Sequence, residues 1–166
     1  ATVYEKLDGS LCYLYRYDHG WHVATSGSPD ASGSVGDLSI TFKDLFWRVF
    51  LDKGYKLPPD AARHFTYMFE LTTPFNKVVV QHKDSTLSLI GIRHKDGPEL
   101  IPDANKTYDV VPRFKLTSIN DVVATFEDMD PVVQEGYVVV DSAFNRIKIK
   151  HPGYVALHHM KAHFSI

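Results

Sequence analysis

Glu5-Lys6-Leu7-Asp8-Gly9-Ser10 is the stretch of this 166-residue chain that says most about its fold and its chemistry. Asp-Gly is a turn signal between strands, and an alternating apolar run follows it at 11–15. We therefore expect Lys6 at the end of a strand, beside a tight turn, with its amine pointing into a groove. A lysine amine is protonated at neutral pH, but burial or neighbouring cations can convert it into a covalent nucleophile. A solvated hairpin lysine is the simpler interpretation of this stretch by itself.

Three further motifs follow in order along the chain. The first places an acidic residue in a strand before a Pro-Asn turn and an apolar run, Phe69-Glu70-Leu71-Thr72-Thr73-Pro74-Phe75-Asn76-Lys77-Val78-Val79-Val80. The second is Glu135-Gly136-Tyr137-Val138-Val139-Val140. The third is Arg146-Ile147-Lys148-Ile149-Lys150, which continues into Tyr154-Val155-Ala156-Leu157-His158-His159. Four ordered motifs are far more specific than any one of them.

Together these motifs resemble those of the covalent nucleotidyltransferases, the superfamily of ATP-dependent polynucleotide ligases and mRNA capping enzymes. The P-x-N-[RK]-x-V-V string and the K-x-K-x-x-x-Y-x-x-L-H-H tail are most similar to RNA ligases related to the first RNA ligase of the T-even bacteriophages. The resemblance covers Glu5 to about Met160. It implies the nucleotidyltransferase fold, which is α+β, with two antiparallel sheets that form a nucleotide cleft and with flanking helices.

The activity implied by this resemblance is that of an ATP-dependent RNA ligase or its adenylyltransferase core. Lys6 would attack the α-phosphate of ATP and carry AMP as a phosphoramidate. The AMP would pass to the 5′-phosphate of an RNA end before a 3′-OH seals the strand. The implied cofactors are ATP and Mg²⁺ or Mn²⁺, and the implied partner is RNA with 5′-phosphate and 3′-OH ends. We expect a monomer without a membrane segment, located in the cytoplasm, or in the host cytoplasm if the chain is viral.

Lys148 and Lys150 are the other candidate catalytic residues. They alternate with apolar Ile147 and Ile149, so in a strand both should point to one face. If that face lines the nucleotide cleft, their charges would hold the α-phosphate and favour the neutral amine of Lys6. The alternative is the solvated face of an amphipathic edge strand, where lysines discourage aggregation.

Two glutamates are candidate metal ligands. Glu135 precedes a buried strand, and a carboxylate beside a phosphate site suits Mg²⁺ or Mn²⁺. Glu70 alternates with Phe69 and Leu71, and the resemblance gives it a contact with the nucleotide ribose or the metal. The alternatives are a surface glutamate at a strand start for Glu135 and a salt-bridged surface residue for Glu70.

Further residues are expected to contact the nucleotide. In related ligases the residue before the lysine lies close to the adenine, which implies this place for Glu5, with Leu7 also beside the nucleotide. The base would lie between apolar walls such as Ile92 and Val138 or Val139, since ligand sites combine apolar walls with a few polar groups. Ordinary core packing predicts the same residue types at the wall positions.

The chain departs from the family pattern at two positions. Ser26 stands where a basic residue near the phosphate or the acceptor end is usual, and Lys77 stands where arginine is usual. Lys77 keeps the charge but loses the bidentate fork. Ser26 favours a rival hypothesis, a degenerate fold that binds nucleotide or RNA without transfer. A DNA ligase or a capping guanylyltransferase is the other rival.

Composition fits a globular protein, with 44% hydrophobic and 23% charged residues. We expect 1–166 to be a single nucleotidyltransferase domain, either a short ligase or an excised core without N-terminal and C-terminal extensions. The net charge of −2 means that RNA contact requires a local patch rather than a wholly basic surface. No apolar run reaches the roughly 20 residues that span a bilayer. The single cysteine, Cys12, excludes an internal disulfide.

Strands predominate in the predicted secondary structure. Strands are expected at 11–17, 21–25, 65–71, 77–81, 87–93, 137–141 and 146–150. A helix with helical spacing of apolar residues is expected at 41–53, with Thr41 as its N-cap. A second helix is expected at 118–128, with Ser118 as N-cap and Asp121 in a capping-box position.

Overall fold

The structure is a computed structural model, and it describes residues 1–164. These residues contain nine β-strands and three α-helices. The strands are β1 (Thr2–Lys6), β2 (Ser10–Tyr17), β3 (Gly20–Thr25), β4 (Phe65–Thr72), β5 (Thr86–His94), β6 (Glu99–Leu100), β7 (Arg113–Phe114), β8 (Gly136–Val140) and β9 (Arg146–Lys150). The helices are α1 (Phe42–Asp52), α2 (Ile119–Ala124) and α3 (Pro152–Phe164). No helix within residues 1–164 has the length and apolar character needed to cross a membrane.

The chain separates into two compact units. Unit 1 comprises 1–8, 77–82 and the chain from 111 onward, and its antiparallel sheet has the strand order β7-β1-β8-β9. Unit 2 comprises 9–76 and 83–110, and its antiparallel sheet has the order β3-β2-β4-β5-β6. The predicted α+β class with two antiparallel sheets is confirmed.

Unit 2 is built around an apolar core on one face of its sheet. Helix α1 contributes Leu45, Phe46, Val49 and Phe50 to this core, all of them buried. Thr41 caps the helix by accepting a hydrogen bond from the Asp44 backbone N–H, and Gly54 follows it with a positive φ of 69°. The helix predicted at 41–53 is therefore confirmed.

The β2–β3 hairpin of unit 2 also follows the prediction. Asp18 and His19, the residues between the two strands, have φ values of 45° and 63°. Two consecutive positive φ angles are typical of the two-residue turns that match the twist of a hairpin.

In unit 1, one face of the sheet covers a smaller core. Val3 of β1 and Tyr137 of β8 pack there against Val122 of helix α2. Helix α2 is capped by Ser118, whose side chain forms a capping box with Asp121, as predicted. The helix is shorter than expected, because a 3₁₀ turn replaces the α-helix after Ala124.

Two predictions of local structure are wrong. The Asp8-Gly9 pair is not a hairpin turn, because β1 belongs to the sheet of unit 1 and β2 to the sheet of unit 2. Residues 77–81 do not form a strand, because the backbone N–H groups of Val79 and Val80 donate to the Asp8 carboxylate instead of to a neighbouring strand.

Candidate active site

Lys6, Glu135 and Lys150 form an ion cluster at one end of the unit 1 sheet. Lys6 Nζ lies 2.8 Å from Glu135 Oε1, and Lys150 Nζ lies 3.5 Å from the same oxygen. Glu135 is only 2% exposed, whereas the side chains of Lys6 and Lys150 are 19% and 39% exposed. A buried carboxylate is costly without opposite charges, so the two ammonium groups stabilise Glu135 in this position.

The strand register explains how the two lysines meet. Lys6 lies opposite Gly136 across the β1–β8 pair, and Gly136 lies opposite Lys150 across the β8–β9 pair. Directly opposite residues point to the same face of a sheet, so the lysines flank a position without a side chain. Gly136 has a φ of +149°, and a Cβ there would collide with the carbonyl oxygen of Ile149. The glycine of the Glu-Gly motif is therefore required both by its backbone and by its surroundings.

Lys148 shares the face of Lys150, as predicted, but it lies farther from the ion cluster. It is opposite Val138, two residues before Lys150, and its side chain is exposed. Strand β9 is an edge strand of the unit 1 sheet, so the edge-strand position considered for these lysines is also observed. The structure thus brings Lys150 to Lys6 and Glu135 and leaves Lys148 outside that group.

Asp8, the residue two positions after the lysine, is a buried hub that the sequence did not reveal. Its Oδ2 accepts hydrogen bonds from the backbone N–H groups of Val79 at 2.8 Å and Val80 at 2.6 Å. Its Oδ1 accepts from the Tyr154 hydroxyl at 2.8 Å, and its backbone oxygen lies 2.7 Å from His82 Nε2. Asp8 is 4% exposed, so these bonds hold the end of β1 to segment 77–82 and to helix α3.

Tyr154 connects this hub to the ion cluster. Burial raises the pKa of its phenol well above the usual range, and the hydrogen bond to Asp8 and the nearby Glu135 carboxylate raise it further. The phenol is therefore a neutral donor to Asp8 over the whole working range of pH. The Lys150 ammonium lies 5.7 Å from the centre of the Tyr154 ring, within cation–π range. The only sequence signal for this role was the tyrosine of the K-x-K-x-x-x-Y tail.

Glu70 lies in unit 2 with the orientation that the alternation predicted. Phe69 and Leu71 are fully buried, whereas Glu70 is half-buried on the other face of β4. Its Oε1 accepts a hydrogen bond of 3.2 Å from the backbone N–H of Gly9. The Pro-Asn turn after β4 is fixed by Asn76, whose Nδ2 donates to Ser10 Oγ at 2.9 Å and to the Leu71 carbonyl at 2.8 Å.

The residues expected around the nucleotide have different placements. Val138 lies on the same face of the unit 1 sheet as Lys6, two residues from Gly136, whereas alternation places Glu5 on the opposite face. Burial raises the pKa of Glu5, and His82 partly offsets this effect. Leu7 is half-buried just after β1.

Ile92 lies in unit 2, buried on the core face of β5 opposite Tyr67. Glu70 points to the other face of the same sheet, so Ile92 and Glu70 cannot line one surface of it. This placement argues against Ile92 as a wall of the base site, while Val138 stays a prediction.

The metal prediction concerns carboxylates in two different units, Glu135 in unit 1 and Glu70 in unit 2. Residues 1–164 contain no group of three or more His, Cys, Asp or Glu side chains that could hold a metal ion. Mg²⁺ often takes only one or two carboxylates and completes its shell with water and substrate phosphates. Glu135, a buried carboxylate that pairs with Lys6 and Lys150 and lies beside the Tyr154 hydroxyl, fits such a ligand.

Comparisons with known proteins give a consistent result. The chain is 32% identical to an RNA ligase of Rhodothermus phage RM378, in an alignment that covers 95% of this chain and 45% of that protein. It is 30% identical to a protein of Autographa californica nuclear polyhedrosis virus assigned as a bifunctional polynucleotide kinase/RNA ligase, over 93% of this chain and 23% of that protein. No family model matches the chain.

Solved structures of a Naegleria gruberi RNA ligase share the fold. The complex with pyrophosphate matches with a TM-score of 0.65 at 18% identity, over 96% of this chain and 51% of that one. A variant with ATP and Mn matches with a TM-score of 0.64 at 17% identity, over 95% and 51%. This chain therefore spans about half the length, or less, of the relatives it matches. The predicted resemblance to RNA ligases of the nucleotidyltransferase type is confirmed.

Proposed function

We propose that this chain, with its likeness to RNA ligases along nearly its whole length, carries out the adenylyl transfer of an ATP-dependent RNA ligase. The observation that supports this proposal best is the ion cluster, in which Lys6 and Lys150 lie within 3.5 Å of one Glu135 oxygen. The cluster combines a nucleophile, a second cation for phosphate and a buried carboxylate. Phosphoryl transfer depends mostly on such positioning and on electrostatic stabilisation.

In the first step the neutral amine of Lys6 attacks the α-phosphorus of ATP. The Lys6 ammonium, paired with Glu135 before ATP binds, first releases one proton to water. A bond then forms between the Lys6 nitrogen and phosphorus, the phosphorus–oxygen bond to pyrophosphate breaks, and the nitrogen releases its second proton to water. Glu135 holds the Lys6 side chain in the site before ATP binds, and Lys150 binds the α-phosphate. A divalent metal at Glu135 would offset the charge that develops on the phosphate oxygens.

The second and third steps use RNA. An oxygen of the RNA 5′-phosphate attacks the phosphorus of lysyl-AMP, the nitrogen–phosphorus bond breaks, and Lys6 leaves as an amine after taking up a proton from water. The 3′-OH of an RNA strand then attacks the activated 5′-phosphate, releases AMP and gives its proton to water. RNA with these two ends, ATP and Mg²⁺ or Mn²⁺ are thus the proposed substrates and cofactors of a monomer that acts inside the cell.

Further residues are assigned to nucleotide contacts one by one. Val138 forms an apolar wall for the base, and Lys148 adds positive charge on the same face of the sheet. Glu70 binds the ribose or the metal. Leu7, next to the nucleophile, completes the surroundings of the adenine, whereas the Glu5 side chain lies on the opposite face of the sheet from Val138.

The experiment that tests this proposal is the intact mass of the protein after incubation with ATP and Mg²⁺ or Mn²⁺. We expect the mass to rise by one adenylyl group, and we expect Lys6→Ala to abolish the rise. Lys115→Ala, which removes an exposed lysine outside the ion cluster, is the matched control and should label fully.

Three results would contradict the proposal. Full labelling of Lys6→Ala would exclude this lysine as the nucleophile. Labelling by GTP in preference to ATP would favour a capping-type enzyme. A wild-type protein that binds ATP but never gains mass would favour the degenerate fold, which Ser26 suggested at the sequence level.

A further inference from the structure

The face of the unit 2 sheet that points away from its core carries an aromatic row. Along β2 the fully buried Cys12 and Leu14 alternate with Tyr13, Tyr15 and Tyr17, which therefore share the opposite face. Tyr17 is 69% exposed, and Tyr13 and Tyr15 are half-buried. We call these three residues, together with His22 of β3, the tyrosine row. Alternate residues of a strand are about 7 Å apart, so the row presents successive rings along one line.

Neighbouring contacts hold these rings in place. His22 lies opposite Tyr15, with ring centres 5.9 Å apart, and its ring is 6.2 Å from that of Tyr17. The Tyr15 hydroxyl donates a 2.6 Å hydrogen bond to the Pro29 carbonyl, and His22 Nε2 lies 3.1 Å from the Tyr17 carbonyl oxygen. A ligand that stacks on rings already fixed in position loses less conformational entropy on binding.

The adjoining strands extend this surface. Met68 of β4 lies opposite Tyr13, and Gly91 of β5 lies opposite Met68, where it adds no side chain. Arg93 follows on the same face of β5 and is exposed. The surface thus combines aromatic rings and a flexible thioether with a cation at its margin.

The row also adjoins Glu70, which is assigned to a nucleotide contact. Leu11, which begins the outward-facing series on β2, lies opposite Glu70, and Glu70 accepts a hydrogen bond from Gly9. Strand β2 itself begins at Ser10, four residues after the nucleophilic Lys6 in the sequence. The tyrosine row therefore starts beside Glu70 and leads away from it along β2.

We propose that the tyrosine row stacks the unpaired bases of a single-stranded RNA end. Every base has a π-face, so stacking on aromatic side chains tolerates any sequence, and sheet-borne aromatic rings are a common way to bind single-stranded RNA. Bases inside a duplex are already stacked and do not offer their faces to a flat surface. A chain with a net charge of −2 cannot depend on a wholly basic surface, so stacking supplies affinity that charge does not. This inference rests on the proposed ligase function and assigns the surface that binds its RNA.

The test compares the binding of a 12-nucleotide single-stranded oligouridylate with that of a blunt RNA duplex, measured by fluorescence anisotropy. Tyr17→Ala combined with His22→Ala removes two exposed rings. We expect the affinity for the single strand to fall roughly 5- to 150-fold for each base that loses its stacking partner. The single variant Tyr17→Phe should bind the single strand as tightly as the wild type does, because it keeps the aromatic ring. Leu51→Ala, at a 71% exposed side chain of α1 in the same unit, is the matched control.

Salt dependence separates stacking from charge. The Tyr17→Ala and His22→Ala double variant should bind less tightly at every salt concentration with nearly the same slope of log affinity against log salt. Arg93→Ala should instead reduce that slope by about one, because it removes one phosphate contact.

Two outcomes would overturn the proposal. One is unchanged affinity of the double variant for the single strand. The other is an equal loss of affinity for the single strand and for the duplex, which would indicate a general structural effect.

The mass assay is run in parallel, because the double variant should form lysyl-AMP at the wild-type rate. If the wild type does not label but the double variant still loses single-strand binding, the ligase proposal fails while the stacking surface stands.

Discussion

The two units of this chain are stabilised in different ways. Unit 2 has a large aromatic core, in which Phe46 packs against Trp47, Phe50 and Phe69 with ring centres between 5.1 and 5.9 Å apart. In the described part of unit 1 the buried apolar residues divide into smaller clusters, one under the sheet and one around Tyr154. Unit 1 instead contains the buried carboxylates Asp8 and Glu135.

This difference follows from the chemistry that the unit 1 sheet has to present. A face that carries Lys6 and Lys150 must stay accessible to a charged substrate, so it cannot be covered by a large apolar core. Directional bonds to Asp8 and Glu135 take over the positioning that apolar packing supplies in unit 2. A polar site of this kind is fixed in geometry but sensitive to the loss of a single partner, because the groups left behind are buried without a bond.

The largest expected effect tests the core of unit 2. Phe46 is fully buried, and Phe46→Ala should lower the free energy of unfolding by about 3–5 kcal/mol, through lost burial and a residual cavity. Val122→Ala in the small core of unit 1 should cost about 2 kcal/mol, since fewer buried carbon atoms are removed. Urea denaturation measures both changes. Equal losses would show that the two cores contribute alike and would remove the basis of the comparison.

The next effect tests the hub of unit 1. Asp8→Ala leaves the backbone N–H groups of Val79 and Val80 and the Tyr154 hydroxyl without their acceptor. We expect a loss of about 2–4 kcal/mol in the free energy of unfolding. We also expect slower formation of lysyl-AMP, because Asp8 holds the chain just after the nucleophile. Asp8→Asn keeps one oxygen acceptor, so it should retain part of the free energy of unfolding and part of the rate of lysyl-AMP formation. A variant that is destabilised but labels at the wild-type rate would limit Asp8 to a structural role.

Much of this architecture could be predicted from local sequence. Period-two alternation located β2, β4, β5, β8 and β9, and the same alternation correctly placed Lys148 and Lys150 on one face. The capping pattern located the start of both α1 and α2. Each of these features depends on residues that are close together in the chain.

Features that depend on distant partners were missed. Asp8 was interpreted as a turn residue because its acceptor role involves backbone groups more than 70 positions later. The orientation of Ile92 depends on strand pairing beside a register shift at Met68 and Phe69, and local periodicity does not report such an irregularity. The ion cluster also depends on the pairing of three strands from both ends of the chain, and its residues were predicted only because the ordered motifs resemble those of a known family.

A smaller effect distinguishes the two lysines of β9. Lys150→Met keeps most of the bulk and removes the charge 3.5 Å from Glu135, so adenylyl transfer should slow by about ten- to 100-fold, or about 1.4–2.8 kcal/mol. Lys148→Met removes an exposed charge outside the cluster and should slow transfer less. Single-turnover rates at saturating ATP measure both, alongside the ATP dissociation constants. Equal rate losses would indicate that Lys148 moves to the phosphate when ATP binds.

The smallest expected effect compares helix caps in the two units. Ser118→Ala breaks the capping box of α2, where Asp121 N–H donates to Ser118 Oγ and Asp121 Oδ2 accepts from the Ser118 N–H. We expect the free energy of unfolding to fall by about 1 kcal/mol at pH 6.

This cost should depend on pH, because hydrogen bonds from Ser118 and Thr117 lower the pKa of Asp121 below its usual 3.8. A carboxyl with a lowered folded-state pKa stabilises the fold above its unfolded pKa, and this stabilisation is lost as the pH falls through the folded value. The cost of Ser118→Ala should therefore shrink below about pH 3.8. Thr41→Ala, which removes the cap of α1 in unit 2, should have a similar cost that changes less between pH 6 and pH 3. Denaturation at pH 6 and pH 3 measures the free energy of unfolding of both variants. A pH-independent cost for Ser118→Ala would show that Asp121 does not stabilise α2 through its charge.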